Sequence, residues 1–598
     1  MGFHPEIVPE QQDPRDAQWL RDTLPIFREL DTTLLDAILE EMDWFALPGG
    51  TTLFEAGDPA DALYCVLSGA LGAFTKSADQ SPRLMGRIFA GETVGEMALM
   101  SGNPRNATVI ALRDTELARL PRTGFEKLML RHPLGLLSLS QLIMRRFEAQ
   151  QRSSPSRAIP KTFAIVPADA SVSAATFAGQ LATQLERIGA TEWVWNRRGS
   201  THTTAWFHEI ERANEFVVYV CDAEPTSWSK LCLRQADAVL IVANAKGDVA
   251  EPAVLQRNSD RFALGRRSEV VLLHEHTIER GRAARWLERQ PNLTVHHVRN
   301  ASDTARLARM LTGRAIGLVL SGGGARGFAH IGVLKALREG NVAIDSIGGT
   351  SIGAVIAASY ACEWPIEEIT QRIHRSFVET NPLNDYTIPF IALASGRKVS
   401  RLLRREFEDR AIEDLALAFF CVSTNLSSGQ LAVHRQGSLW RWLRAAVAIP
   451  GVLPPVVAKG ELFVDGATIN NLPVDIMRGS GIGRVIGADV GADRVFTTDS
   501  DDSDAPPFWK VFKWFRGRKH RINILQILWR AGMVNSAANT VARRELSHVL
   551  LQPPLEQIDM LNWKSFDRAV EAGYRYTMKR LEEGALLDAM NTASRDTG

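Results

Sequence analysis

Residues 315–327 read AIGLVLSGGGARG, and residues 349–353 read GTSIG. The run Ala315–Leu320 is short and apolar, which predicts a buried strand. Gly322, Gly323 and Gly324 lack Cβ, so the backbone can turn tightly there and expose its N–H groups. Ile331, Leu334 and Leu337 fall on one helical face, which predicts a helix directly after the glycines. Its N-terminus adds partial positive charge. Strand, glycine turn and helix together make an anion pocket, suited to a phosphate or to an oxyanion. The loop lacks G-x-x-x-x-G-K-[ST] and is not a P-loop; G-x-G-x-x-G fits at Gly322, Gly324 and Gly327 and keeps nucleotide binding open at this point.

GTSIG lies between the apolar piece IDSIG (344–348) and the Ala-rich run AVIAASYA (354–361). That is the strand–turn–helix setting of a nucleophile elbow, with Ser351 at its tip. A serine nucleophile needs a base. No His stands in an evident motif, and His330, in the helix after the glycine loop, reads as a packing residue. The carboxylate candidate is Asp465 in ELFVDGATINNLPVD (461–475), where a strand-like run meets Asp-Gly. Asn470, Asn471 and Pro473 mark a rigid turn after it. A direct hydrogen bond from Ser351 to Asp465 would make a two-residue site.

The GGGARG loop, the GTSIG elbow and the DGA segment, in this order and with AVAIPGVLPP (446–455) before the last, resemble the patatin-like phospholipases. The resemblance implies a three-layer α/β domain and a Ser–Asp dyad without His. It makes Ser351 the nucleophile and Asp465 the base. The backbone N–H groups of Gly322, Gly323, Gly324, Ala325 and Arg326 become the oxyanion hole. Ala467 stands where many members have a second glycine.

Further upstream, from Trp44 to Leu120, short apolar runs alternate with glycines, which predicts a β sandwich or jelly roll. Within it, Gly95-Glu96-Met97-Ala98-Leu99 is followed by Pro104-Arg105-Asn106-Ala107-Thr108-Val109. Arg105 can pair a phosphate bidentately, and Glu96 can accept from a ribose hydroxyl. This pattern resembles the phosphate cassette of cyclic-nucleotide-binding domains, with Gly95, Glu96, Arg105, Asn106 and Ala107 as the contacting residues. Asn106 occupies a position where that family varies, so cAMP and cGMP both stay open. Between the two regions, TFAIVP, FVVYVC, AVLIVA and VVLLH alternate with helix-length segments, which predicts a parallel, Rossmann-like α/β domain. No glycine-rich loop follows TFAIVP, so this part reads as a spacer without chemistry of its own.

These readings give a multidomain chain. A leader (1–24) precedes a β jelly roll with flanking helices that binds a cyclic nucleotide (25–149). After a linker (150–160) come the α/β spacer (161–312), the patatin-like catalytic domain (313–491) and a helical C-terminal extension (492–598). The order resembles the neuropathy target esterase family of lysophospholipases, with two departures: one recognisable nucleotide-binding segment, and no N-terminal membrane anchor of the kind animal members have. The extension opens with Phe508, Trp509, Phe512, Trp514 and Phe515 beside Lys510, Lys513, Arg516, Arg518 and Lys519. It reads as a membrane-docking lip or as an amphipathic helix packed on the catalytic domain.

Lys+Arg is 69 against Asp+Glu 68, a formal charge of +1 in 598 residues, which argues against a nucleic-acid binder. The five scattered cysteines fit neither a disulfide framework nor a zinc site, and a reducing compartment suits them. No apolar run reaches the length of a spanning helix. The expectation is therefore a cytoplasmic serine lipid acyl hydrolase, peripheral on the inner face of a membrane. Lysophospholipids or phospholipids are its substrates, cAMP or cGMP its effector, and catalysis needs no cofactor or metal. A lipid-binding cyclic-nucleotide sensor without catalysis, and an acyltransferase or general esterase using the same dyad, are the alternatives. Oligomeric state is not legible.

Overall fold

The computed structural model describes residues 32–76, 82–131, 159–199, 204–256, 267–291, 293–388, 390–491 and 539–584, with Gln18, Arg21, Leu24 and Phe27 ahead of them. The aromatic and basic stretch 508–521, most of the expected linker and nearly all of the leader lie outside the described residues. Two compact units divide the chain: residues 1–277 with 285–312, and residues 278–284 with 313–598.

The first unit holds a sandwich and a parallel sheet. One sandwich layer runs in the order Asp43–Leu47, Thr115–Pro121, Ala62–Ser68, Thr93–Val94, and the other Thr52–Phe54, Thr108–Ala111, Ala70–Lys76, Pro82–Phe89. Leu47, Val66, Leu71, Val109 and Leu117 meet between the layers, as period-two alternation requires. The parallel sheet is ordered Thr191–Val194, Phe216–Val220, Thr162–Pro167, Ala238–Asn244, Arg267–Leu273, Thr294–Val298. Its four inner strands include the apolar runs anticipated from sequence. The two outer strands, TEWV and TVHHV, are half-exposed and polar enough to escape that reading.

The second unit is built on an eight-stranded mixed sheet. Ile316–Leu320 lies at its centre, parallel to Ser346–Gly349 on one side and Arg484–Ala488 on the other. Ala418–Asn425 continues the parallel set beyond Ser346–Gly349 and pairs antiparallel with Glu461–Asp465. The helices Ala329–Glu339 and Ile352–Ala361 follow the two central strands and pack into the same apolar core.

The expected boundary at 491 is corrected here. Val549–Leu551 pairs in parallel with Arg484–Ala488 and completes the sheet. Phe566–Glu582 is a helix whose Phe566 ring lies 4.7 Å from Phe328 in the core. Residues 539–584 of the expected extension therefore belong to this unit. A three-residue edge strand offers too little periodicity for sequence to show it.

Candidate active site

Ser351 ends the turn that joins Ser346–Gly349 to the helix Ile352–Ala361, and it takes φ 54°, ψ −129°. A non-glycine residue in that region is strained by about 1–3 kcal/mol, and the surroundings must hold it there. They do so by close approach. A Cβ on Gly349 would stand 2.5 Å from the Leu320 carbonyl oxygen, and one on Gly353 2.4 Å from the same atom. Only glycines on both sides let the elbow sit this tightly over the central strand.

Ser351 is buried, and its Oγ donates to Asp465 Oδ2 at 2.7 Å. Asp465 ends the strand Glu461–Asp465, and its Oδ1 accepts from the Ala467 amide at 2.9 Å. Burial pushes the Asp465 carboxyl up to about 7, against the pull of the Ala467 and Ser351 donors. His330 lies elsewhere: its Nε2 is 2.9 Å from the Ser321 carbonyl, and burial lowers it to about 4, which keeps it neutral. No imidazole among the described residues is hydrogen-bonded to Ser351.

The glycine loop lies against the elbow, since a Cβ on Gly322 would approach Ser351 Cβ at 3.0 Å. Three of its five amides are occupied. Gly322 N donates to Asn471 O at 3.3 Å, Ala325 N to Met560 O at 2.8 Å, and Arg326 N to Gly323 O at 3.2 Å. The amides of Gly323 and Gly324 have no partner among the described residues. The Arg326 side chain is buried and donates to Ile558 O at 2.7 Å, so it anchors the C-terminal segment under the loop.

An apolar pocket opens over Ser351 and Gly324. Trp364, Phe377, Leu402, Phe407, Ile449 and Trp563 line it. The charged groups on its wall, Arg372 and Glu406, are paired with each other at 2.8 Å. The lining suits a hydrocarbon chain.

In the sandwich, Gly95 takes φ 93° at the start of the short helix Glu96–Ser101. Glu96 and Arg105 are both buried, whereas Asn106 is exposed and Ala107 is partly so. Arg105 Nη1 donates to Gly95 O at 3.0 Å. Its Nη2 donates to Asp61 Oδ1 at 2.9 Å and to Ala62 O at 2.8 Å. The guanidinium also lies 4.2 Å over the Phe54 ring, and only Nε lacks a partner. The arginine singled out for phosphate pairing is thus held by protein acceptors in this structure.

Residues 318–478 match the family described as patatin-like phospholipase, and residues 44–132 match the cyclic nucleotide-binding domain. Residues 160–304 match the neuropathy target esterase family P-loop like domain. The chain carries all three domains. It is similar to patatin-like phospholipase domain-containing protein 6 of Pongo abelii, with 31% identity over 96% of this chain and 47% of that protein. Lysophospholipase nte1 of Aspergillus fumigatus is 29% identical over 92% of this chain and 43% of its own length. Neuropathy target esterase sws of Drosophila melanogaster is 29% identical over 95% and 44%. The chain spans about half the length of the curated relatives it matches.

Some site residues were not legible in advance. Asn471, read as a turn residue, donates through Nδ2 to Gly322 O at 3.1 Å and so pins the glycine loop. Asn470 accepts from Thr350 Oγ1 through its carbonyl at 3.0 Å, tying the same turn to the elbow. The repeated Asn after Asp-Gly was the available signal. Asp61, the acidic partner of Arg105, and the cavity wall had none.

Proposed function

We propose that the chain is a serine lipid acyl hydrolase that cleaves acyl esters of lysophospholipids or phospholipids through an acyl-Ser351 intermediate. The observation that carries this reading is the 2.7 Å hydrogen bond from Ser351 Oγ to Asp465 Oδ2 at the wall of an apolar cavity. Ser351 Oγ attacks the ester carbonyl carbon as its proton passes to Asp465 Oδ2. The developing oxyanion meets the unoccupied amides of Gly323 and Gly324 and the N-terminus of Ile352–Ala361. Asp465 returns the proton to the leaving glycerol oxygen. Water then repeats the sequence on the acyl enzyme, with Asp465 again as base. The hydrocarbon chain occupies the cavity, and no cofactor or metal takes part. The sandwich takes cAMP or cGMP as an effector, with the cyclic phosphate displacing Asp61 from Arg105.

The test is labelling with a fluorophosphonate probe and hydrolysis of lysophosphatidylcholine. Ser351→Ala is expected to abolish both, and persistent labelling would refute the nucleophile. Asp465→Asn preserves the fold and lowers kcat about 10³-fold, the order expected on losing a general base. Undiminished turnover would exclude the dyad.

A further inference from the structure

Asp385–Ser395 forms a finger closed at its base by an antiparallel bridge between Tyr386 and Ala394. Ser395 N donates to Asp385 O at 2.8 Å, and Thr387 N to Leu393 O at 3.0 Å. Asp385 Oδ2 accepts from Ser395 Oγ at 2.6 Å and from Lys398 N at 3.1 Å. The base is also tied to the wall of the catalytic cavity. Leu393 N donates to Gly451 O at 3.0 Å and Ala394 N to Val452 O at 2.9 Å, beside the lining residues Ile449 and Leu453. Pro382 and Leu383, just ahead of the finger, line the same cavity.

The tip is apolar and open to solvent. Tyr386, Ile388, Phe390 and Ile391 are 74%, 71%, 89% and 73% exposed. Scattered exposed apolar side chains are ordinary, but four large ones gathered on one well-tied loop mark an interaction surface. Charge selects the partner. The helix Arg397–Phe407 leaves the finger directly, and Arg397, Arg401, Arg404 and Arg405 are exposed on it. Arg397 and Arg401 have no ion-pair partner among the described residues. Apolar and aromatic side chains flanked by free guanidinium groups match a bilayer, with rings at the headgroup–acyl boundary and cations at anionic headgroups.

We infer that Tyr386, Ile388, Phe390 and Ile391 are an interfacial anchor that inserts into an anionic lipid surface and holds the Pro382–Leu383 wall of the cavity against it. The purpose of the anchor rests on the hydrolase reading; its binding to lipid does not. The test uses the full chain in flotation with vesicles of phosphatidylcholine plus phosphatidylserine, and of phosphatidylcholine alone. Wild type is expected to float with the anionic vesicles. Ile388→Ser combined with Phe390→Ser should cut the bound fraction roughly tenfold, as fits the loss of two buried apolar side chains. Tyr386→Ser combined with Ile391→Ser serves as the second variant. Both should hydrolyse the water-soluble ester p-nitrophenyl butyrate at the wild-type rate, which shows that they are folded. Arg397→Gln with Arg401→Gln should weaken binding to the anionic vesicles alone. Ser351→Ala should float like wild type, so that failure of the catalytic assignment and failure of the anchor read out separately. Wild-type flotation by both tip variants, or no flotation of the wild type, would overturn the anchor.

Discussion

In the proposed mechanism Asp465 must be ionised to accept the Ser351 proton, yet burial holds its carboxyl up near 7. The rate on a soluble ester should therefore rise with pH, reach half its plateau near pH 7 and fall about tenfold per unit well below that. A rate constant between pH 5 and 8 would exclude Asp465 as the base. The same shift affects stability. A carboxyl whose pKa is higher in the folded state binds its proton more tightly there, so this contribution is fully present below about pH 4 and is lost as pH rises through about 7. Asp465→Asn cannot ionise and should melt above the wild type at pH 8, with the gap closing at pH 5. Differential scanning calorimetry at the two pH values checks this. Ser351 was readable because its strained φ demands the glycines on either side, and those glycines stand in the sequence. The division of the loop amides into three occupied and two open was not readable, because two of the three acceptors, Asn471 O and Met560 O, come from far along the chain.

The helices Ala329–Glu339 and Phe566–Glu582 cross at glycines. A Cβ on Gly573 would stand 2.1 Å from the Ala329 carbonyl oxygen, and one on Gly332 2.0 Å from that of Val570. Backbone cannot yield as a flexible side chain can. Gly573→Leu should therefore cost at least about 2–3 kcal/mol, seen as a lower urea midpoint. It should also weaken catalysis, because the segment just before this helix supplies the Met560 carbonyl to the glycine loop. An unchanged midpoint would mean that the two helices do not pack as described. The C-terminal stretch was read as helical, and Phe566–Glu582 is a helix. Its membership in the core of the second unit was not legible, since Val549–Leu551 is an edge strand of three residues and its partner lies some sixty residues earlier.

Within the first unit, Arg113 and Asp114 of the sandwich meet the parallel-sheet part of the chain. Arg113 follows Thr108–Ala111 on the sandwich, and its Nη1 donates to Glu211 at 3.1 Å while its Nε lies 3.7 Å from Asp237. Burial alone would lower its pKa, but the Asp237 and Glu211 carboxylates outweigh that and raise it, so the guanidinium stays charged. Asp114 beside it accepts from Gly49 N at 2.8 Å and from Arg234 Nε at 3.3 Å. Arg113→Met would remove the cation from Glu211, which keeps the Tyr219 hydroxyl, and from Asp237, which keeps the Lys161 and Thr162 amides, and should destabilise this unit by about 1–3 kcal/mol. Thermal melting checks the loss; a Tm within error of wild type would show that the ion pairs contribute nothing. No motif announces this contact, because an arginine in a connection between strands is ordinarily solvated.

Local chemistry was written in the order of residues. Glycines mark where the backbone must turn or be approached, apolar runs mark strands that bury both faces, and Ser351, Asp465 and Arg105 stand in patterns that tolerate few alternatives. Distances between remote segments were not written there. The Ser351–Asp465 hydrogen bond closes a separation of 114 residues. The cavity above it is assembled from Trp364, Phe407, Ile449 and Trp563, on separate segments. The Arg105 guanidinium meets Asp61 only because the loops ahead of Ala62–Ser68 and Thr108–Ala111 come together in the folded sandwich. Packing is collective: each such contact depends on the whole core closing at once, so no short window of sequence can carry it.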